Sequence, residues 1–488
     1  MAGQAFVPGT AVRTLLAHFR TPLPLAGSLL LNDREYRSRL VKTALPIALQ
    51  ALISSGLYAL GVLLIGQLGE VAIAAAGLGN QLFFLSNFLL FGITSGTALF
   101  SAQLWGSRDL AGIHRVLGLT LLAGLLGAGL FFTVAEFFPS GVLRFYTADT
   151  EVIAAGSLYL RIIAPSFLLM AVGGSYAATL RATGDVRTPL LVSMIALSFN
   201  MLLAYLLIFG RLGLPRLGLY GAAWAMLVAR ALECGLMLAL ASRRTSAAAA
   251  PLRELAGFDF AFARRVMARA LPVAINEMLW SLGVTTYNAI YAHIGTESLA
   301  AVSIAGTVES MAFVAFIGIS DACAILIGHR IGEGDEEKAF RYAVTSLLIA
   351  MTGALLMGGL ILAVSGGVLS LYKVSPQVLQ VARRILWVIA LALFIKVGNM
   401  TIYVGILRAG GDTRFAMLVD VLAVWLVGVP LTAFGAFVLR LPVIWVYPLI
   451  LSEEIVKWGI GASRIASRRW IHNVTRTDQG KPLPQSIR

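Results

Sequence analysis

From Lys42 onward the chain is a succession of apolar runs of about 20 residues or more, parted by short polar connections, and this feature restricts its fold most severely. Runs this long and unalternating suit helices that cross a bilayer, where every backbone N–H and C=O must be satisfied within its own segment. About twelve can be counted, the first near residues 43–67 and the last near 442–462. A mean hydropathy of +0.85 and a charged fraction of 13%, about half that of a soluble domain, agree. The expected fold class is an all-α integral membrane protein.

A net charge of +14 would ordinarily suggest nucleic acid, but the placement of the 38 Lys and Arg residues argues otherwise. Most fall in the N-terminal stretch, the even-numbered loops and the C-terminal stretch, which all lie on one side of the membrane. Such asymmetry is the usual topology signal. Both termini are expected in the cytoplasm, with the chain in the plasma (inner) membrane and no nucleic-acid partner. Arg13, Arg20, Arg34, Arg37 and Arg39 flank a patch broken by Pro22 and Pro24, which reads as a tail on the membrane surface rather than a cleaved signal. Cys234 and Cys323 lie inside apolar runs and imply neither a disulfide scaffold nor a zinc site.

The chain repeats. A shift of 226 positions carries Ala44-Leu-Pro46 onto Ala270-Leu-Pro272, Gly69 onto Gly295, Gly92-Ile93 onto Gly318-Ile319, Gly106 onto Gly332 and Asp109 onto Asp335. One residue further in offset, Leu180-Arg-Ala-Thr-Gly-Asp185 meets Leu407-Arg-Ala-Gly-Gly-Asp412. Each half spans the membrane an even number of times, so the expectation is two parallel six-helix bundles about a pseudo-two-fold axis along the membrane normal. The divisions expected are a cytoplasmic tail 1–40, a first bundle 41–242, a basic linker 243–269, a second bundle 270–465 and a tail 466–488. Gly92-x-x-x-Gly96 and Gly318-x-x-x-Ala322 are expected to bring helices close together.

The halves differ in charge. Glu277 falls where the first half has Ala51, and Asp321 where it has Ser95. The spans of the second half also hold Glu309, Asp420, Lys396 and Asn399, whereas Arg230 and Glu233 of the first half are three apart and can pair locally. Intramembrane ionisable groups are costly and mark ion or substrate pathways by default. Counted from inner-face basic residues, Glu277, Asp321, Asn399 and Asp420 all come out roughly 9 to 14 Å deep, able to meet in one layer. Glu277, Asn276, Ser281, Asn399, Asp321 and Glu309 are therefore the expected cation-coupling residues, with H⁺ or Na⁺ held at Glu277. Trp280, Tyr287, Asp420 and Lys396 are expected in the substrate cleft. Lys396 paired with Glu277 or Glu309 is the alternative in which the acids are purely structural.

Gly66-Gln-Leu-Gly-Glu70 with Ala74-Ala75, the Leu-Arg-Ala-x-Gly-Asp of both halves, Leu207-Ile-Phe-Gly210, Gly221-Ala-Ala-Trp-Ala225 and Asn276-Glu277 together resemble the multidrug and toxic compound extrusion (MATE) transporters over about residues 40–465. The resemblance implies a transporter that exports organic, often cationic, compounds in exchange for H⁺ or Na⁺ through a rocking-bundle cycle. By resemblance Glu277 matches the family's seventh-span glutamate. The first-span aspartate of many members is Gly61 here, which puts a coupling route through the first half in doubt. Some members place an acid near Val397, where this chain has Lys396 and Asn399 instead.

Other functions fit less well. The histidines His18, His114, His293, His329 and His472 are scattered without a metal or catalytic spacing, and no phosphate-cradling Gly-rich Lys loop occurs, so neither an enzyme nor direct ATP drive is expected. A channel would need a filter-like segment. A lipid-linked oligosaccharide flippase of the same architecture is the nearest alternative, and it calls for a cationic cleft. The expectation is a monomer without a cofactor that handles small organic molecules in the lipid bilayer.

Overall fold

The computed structural model describes residues 34–475 apart from 244, 245, 371 and 373. The expected surface-lying tail before Arg34 and the tail beyond 475 fall outside the described residues. Within them the elements are helices: α1 Arg34–Gly66, α2 Glu70–Gly106, α3 Leu110–Phe137, α4 Thr150–Ala182, α5 Arg187–Phe209, α6 Leu219–Ala241, α7 Phe260–Ile294, α8 Thr296–Glu333, α9 Glu336–Leu369, α10 Pro376–Leu407 and α11 Thr413–Val438. The last, α12 Leu451–Ala466, is entered through the helical turns Val443–Val446 and Tyr447–Ile450.

Among the described residues, 10 helices are long and apolar enough to cross a membrane. The two of the expected twelve that fall short are α7, which carries Arg264, Arg265, Arg269 and Glu277, and α12, which carries Glu453, Glu454, Lys457 and Arg464. Charged and polar residues lower the hydropathy of both, and α12 is also short, at 16 residues. Helix α1 starts within the expected tail, with Tyr36 buried and its ring 3.8 Å from that of Tyr342.

The repeat is visible in how helices start and pair. Asp109 and Asp335, matched by the shift, cap α3 and α9 by accepting from Gly112 N and Lys338 N. Their shared identity is a helix-start requirement, not chemistry. In the first bundle α2 packs on α4, α3 on α4, α4 on α6, α5 on α6 and α1 on α5. In the second, α8 packs on α10, α9 on α10, α10 on α12, α11 on α12 and α7 on α11. Across the seam α1 meets α8 and α7 meets α2, while α2 and α8 lie together on the axis.

Small residues close this seam toward the face that carries the termini. A Cβ at Gly92 or Gly96 would stand 2.4 or 2.6 Å from the Cα of Ala274 or Ala270, and one at Gly318 would meet Ala44 O at 2.5 Å. The two expected close approaches are therefore the symmetric contacts between bundles. Nearer the terminal face a Cβ at Gly332 would lie 1.8 Å from Gln103 O, and one at Gly106 2.1 Å from His329 O. The chain after α12 seals the floor. Gln103 Nε2 donates to Ala409 O (2.9 Å) and His472 O (3.2 Å), Val474 N donates to Gln103 Oε1 (2.8 Å), and Asn473 Nδ2 donates to Ile331 O (2.8 Å).

Symmetry fails in one respect. Helices α10 and α11 contain π-helical stretches at Thr401–Leu407, Ala423–Gly428 and Phe434–Val438, whereas α4 and α5 are regular throughout. Wide turns of this kind re-aim side chains and cluster at functional positions.

Candidate functional site

A cavity of about 570 Å³ lies inside the first bundle and adjoins another of about 240 Å³. Gln50, Asn87, Ser193, Arg230 and Glu233 line both. These groups are chained: Gln50 Nε2 donates to Ser193 Oγ (2.8 Å), Ser193 Oγ to Glu233 Oε1 (3.1 Å) and Arg230 Nη1 to Glu233 Oε2 (2.6 Å). The local Arg230 and Glu233 pair expected from their spacing is present and leaves the wall close to neutral. Phe83, Tyr159, Met201 and Met226 supply apolar and aromatic surface, and Gly61 lies in the same wall. The cavity suits a mixed apolar and polar guest better than an anion.

A second feature sits on the seam, where a cavity of about 90 Å³ is lined by Arg181, Asp321 and Arg408 with Thr94 and Ser95. Arg181 and Arg408 are the matched arginines of the two Leu-Arg-Ala segments, so the pseudo-two-fold axis brings them together. Asp321 stands opposite the Ser95 that the repeat puts in its place. Arg408 Nη2 donates to Glu277 Oε1 at 2.5 Å, and Arg408 is only 6% exposed. Glu277 thus pairs with Arg408 and not with Lys396, so of the two alternative Lys396 pairings the one with Glu277 is absent. Arg408 follows directly on the π-helical stretch of α10.

The acids do not form one layer. Lys396 Nζ pairs with Glu309, to which Tyr447 Oη also donates (3.3 Å), so the structural alternative holds for Glu309. Asn399 Nδ2 donates to Glu454 O and Oε2, both at 2.7 Å, and belongs to the second-bundle interior. Tyr287 is buried there and donates to Glu453 Oε2 at 2.5 Å. Asp420 Oδ1 lies 3.3 Å from Lys457 Nζ. Tyr287, Asp420 and Lys396 each find a polar partner on a facing helix of the second bundle. Trp280 is exposed and its ring centroid is 6.5 Å from that of Phe88 across the seam. Asn276 is buried beside Glu277 with its Oδ1 unpartnered, and Ser281 O accepts from Thr285.

Glu453, Glu454 and Lys457 were missed by sequence reasoning. Their signal was available: acids three and four positions before a lysine in the last apolar run, the spacing of one helix face. Gly428 makes room for this cluster, since a Cβ there would lie 2.1 Å from Tyr287 Oη and 2.2 Å from Glu453 Oε2. Among the described residues no group of three or more His, Cys, Asp or Glu side chains is arranged to hold a metal ion.

Comparison with known proteins agrees with the two-bundle fold. The MatE family model matches residues 46–206 and 272–434, one match in each bundle. The "Probable multidrug resistance protein NorM" of Deinococcus radiodurans is 30% identical over 409 residues, covering 80% of this chain and 86% of that protein. The "Probable multidrug resistance protein YoeA" of Bacillus subtilis is 26% identical over 424 residues, covering 84% and 90%. A solved MATE structure in a straight conformation superposes with a TM-score of 0.80 at 18% identity, covering 91% of this chain and 98% of that one. An outward-facing multidrug resistance MATE transporter gives 0.79 at 18% identity with the same coverage.

Proposed function

The chain belongs to the MatE family, a family of transporters, and from that premise we propose that it exports organic, chiefly cationic, drug-like compounds in exchange for H⁺ or Na⁺ by alternating access. The observation that carries the reading is the closed seam: two six-helix bundles meet at the terminal face through glycine contacts, and the charged group Arg181, Glu277, Asp321 and Arg408 stands on the line of closure. Contacts without side chains at Gly106 and Gly332 can part and re-form as rigid bundles rock. The basic terminal face is read as cytoplasmic, with both termini there, the chain in the inner membrane and acting as a monomer.

In this reading the guest enters the first-bundle cavity, where Phe83 and Tyr159 offer faces for a cation and the Asn and Gln amides orient it. The coupling cation acts at Glu277. A proton on Glu277 ends its charge-assisted bond to Arg408, whose nearest remaining carboxylate on the seam is Asp321. Asp321 lines the same cavity as Arg181 of the other bundle, so the charge balance across the seam changes with the occupancy of Glu277. The flippase reading is weaker: Arg230, the cation of the large cavity, is spoken for by Glu233.

The test is uptake of a fluorescent organic cation by vesicles holding the purified chain. Imposed pH and Na⁺ gradients, applied separately, should drive exchange in one case and not in the other. Uptake that ignores both gradients would remove cation exchange from the account.

A further inference from the structure

The interior of the second bundle holds a cluster to which the export reading gives no role. Lys457 Nζ stands among three carboxylates, 3.3 Å from Asp420 Oδ1, 3.3 Å from Glu454 Oε1 and 3.4 Å from Glu453 Oε1. The four side chains are between 5% and 14% exposed. Well-made ammonium to carboxylate contacts are about 2.7–2.9 Å, so Lys457 is held off from all three acids and bound closely to none. One positive charge faces three negative ones. Excess charge at membrane depth is costly, and a bound cation removes it.

A census of donors locates the deficit. Glu453 receives Tyr287 Oη at 2.5 Å besides Lys457, and Glu454 receives Asn399 Nδ2 at 2.7 Å besides Lys457. Asp420 has Lys457 alone among the described residues and is the most exposed of the three acids. Two further atoms point to an occupant. Asn399 Oδ1, in a residue 4% exposed, has no donor although its own Nδ2 is bound within the cluster, and Tyr291 Oη, in a residue 2% exposed, is likewise unpartnered. Tyr291 lies one turn beyond Tyr287 on α7 and stacks 5.9 Å from Tyr447, the donor to Glu309. Lys396 and Asn399 are one turn apart on α10. The unpartnered atoms therefore join the Lys457 cluster to the Lys396 and Glu309 pair, and buried orphans of this kind are the usual partners of water. A proton on a carboxylate supplies the charge that the cluster lacks, and a water beside it the donor that Asn399 Oδ1 lacks.

We propose that Asp420, Glu453, Glu454 and Lys457 form a second proton-binding site, separate from Glu277, loaded at Asp420. It rests on the exchange reading for its role in transport, not for its existence. Lys457 of α12 faces Asp420 directly, and gathered around that pair are Glu453 and Glu454 from α12, Tyr287 from α7, and Asn399 and Tyr403 from α10, with Lys396 of α10 also acting on Glu454; Tyr403 Oη is anchored on Lys457 O at 2.8 Å. On loading, the Asp420 carboxylate becomes a neutral acid, the Lys457 contact to it weakens, and the ammonium draws toward Glu453 and Glu454 on its own helix. The cluster charge goes from two negative to one.

The experiment is infrared difference spectroscopy between pH 8 and pH 5 on the purified full chain, with Asp420→Asn, Glu454→Gln and Glu277→Gln. The expected result is a buried carboxylic-acid C=O band that survives Glu277→Gln, disappears in Asp420→Asn and shifts in Glu454→Gln. Glu454→Gln keeps the test open if Asp420→Asn does not fold. A band lost in Glu277→Gln, or unmoved in both other variants, overturns the proposal. So does saturable ²²Na⁺ binding at pH 8 that Asp420→Asn removes, which would make the occupant an alkali cation. Failure of the export reading would show separately, as gradient-independent vesicles whose protein still carries the band.

Discussion

Arg408 Nη2 lies 2.5 Å from Glu277 Oε1, while Arg181, its counterpart in the repeat, has Ala51 where that acid would stand. Two arginines related by the pseudo-two-fold axis thus flank one small cavity, and Arg408 is hydrogen-bonded to a glutamate of its own bundle at the position where the other half has alanine. Duplication provided the frame, and divergence at Ala51/Glu277 and Ser95/Asp321 made its charge one-sided.

Removing one member of this pair strands the other. Arg408→Ala leaves a buried carboxylate uncompensated and should cost about 3–5 kcal/mol, whereas Arg408→Ala with Glu277→Ala should recover much of the loss. Apparent melting temperatures in one detergent check this, and a double variant no more stable than Arg408→Ala contradicts it.

The terminal-face closure depends on bare glycine. Gly332→Val, with its Cβ 1.8 Å from Gln103 O, should hold the bundles apart at that face. A cysteine at Ala409, buried in the closed state, should then react with a membrane-impermeant maleimide added from the terminal face at least tenfold faster than in the Gly332 parent. Equal rates would mean that the contact does not gate access.

Gly428 isolates the packing under Tyr287 and Glu453. Gly428→Ala should break their 2.5 Å bond and destabilise the second bundle by about 1–3 kcal/mol through an overpacked core and an unpaired acid. Gly428→Ala with Tyr287→Phe should show less than the sum of the two single effects.

The floor strap carries a pH response. Burial holds the His472 imidazole below its ordinary value, opposed by Asp412 and helped by Arg269 and Arg464. The folded state thus favours neutral His472: its contribution is present above the ordinary imidazole range and is lost as pH falls through the depressed folded value. Melting temperature should drop on acidification below about pH 6, and His472→Gln should flatten that part of the curve. An unchanged slope would separate His472 from the strap.

How much was legible in advance follows from where each signal resides. The helices and their pairing could be read because apolar run length and the Ala-Leu-Pro, Gly and Asp matches are local in sequence. Glu277 stood out because its repeat partner is alanine. Its true partner did not, since Arg408 sits at a span end and which neighbour a side chain meets there depends on how the helices pack. The partners of Tyr287, Lys396 and Asp420 are likewise invisible to depth counted along single helices, because which side a helix shows to its neighbours depends on packing. Glu453, Glu454 and Lys457 were overlooked at the end of the chain, where their spacing alone was informative.

The most direct measurement is gradient-driven uptake of a fluorescent organic cation into vesicles, compared between Glu277→Gln and Glu233→Gln, both checked for folding and insertion. The account predicts that Glu277→Gln abolishes the response to the driving ion while Glu233→Gln keeps it. Wild-type coupling in Glu277→Gln would remove Glu277 from the mechanism, and loss of coupling in Glu233→Gln alone would move the site to the first bundle; either contradicts the account.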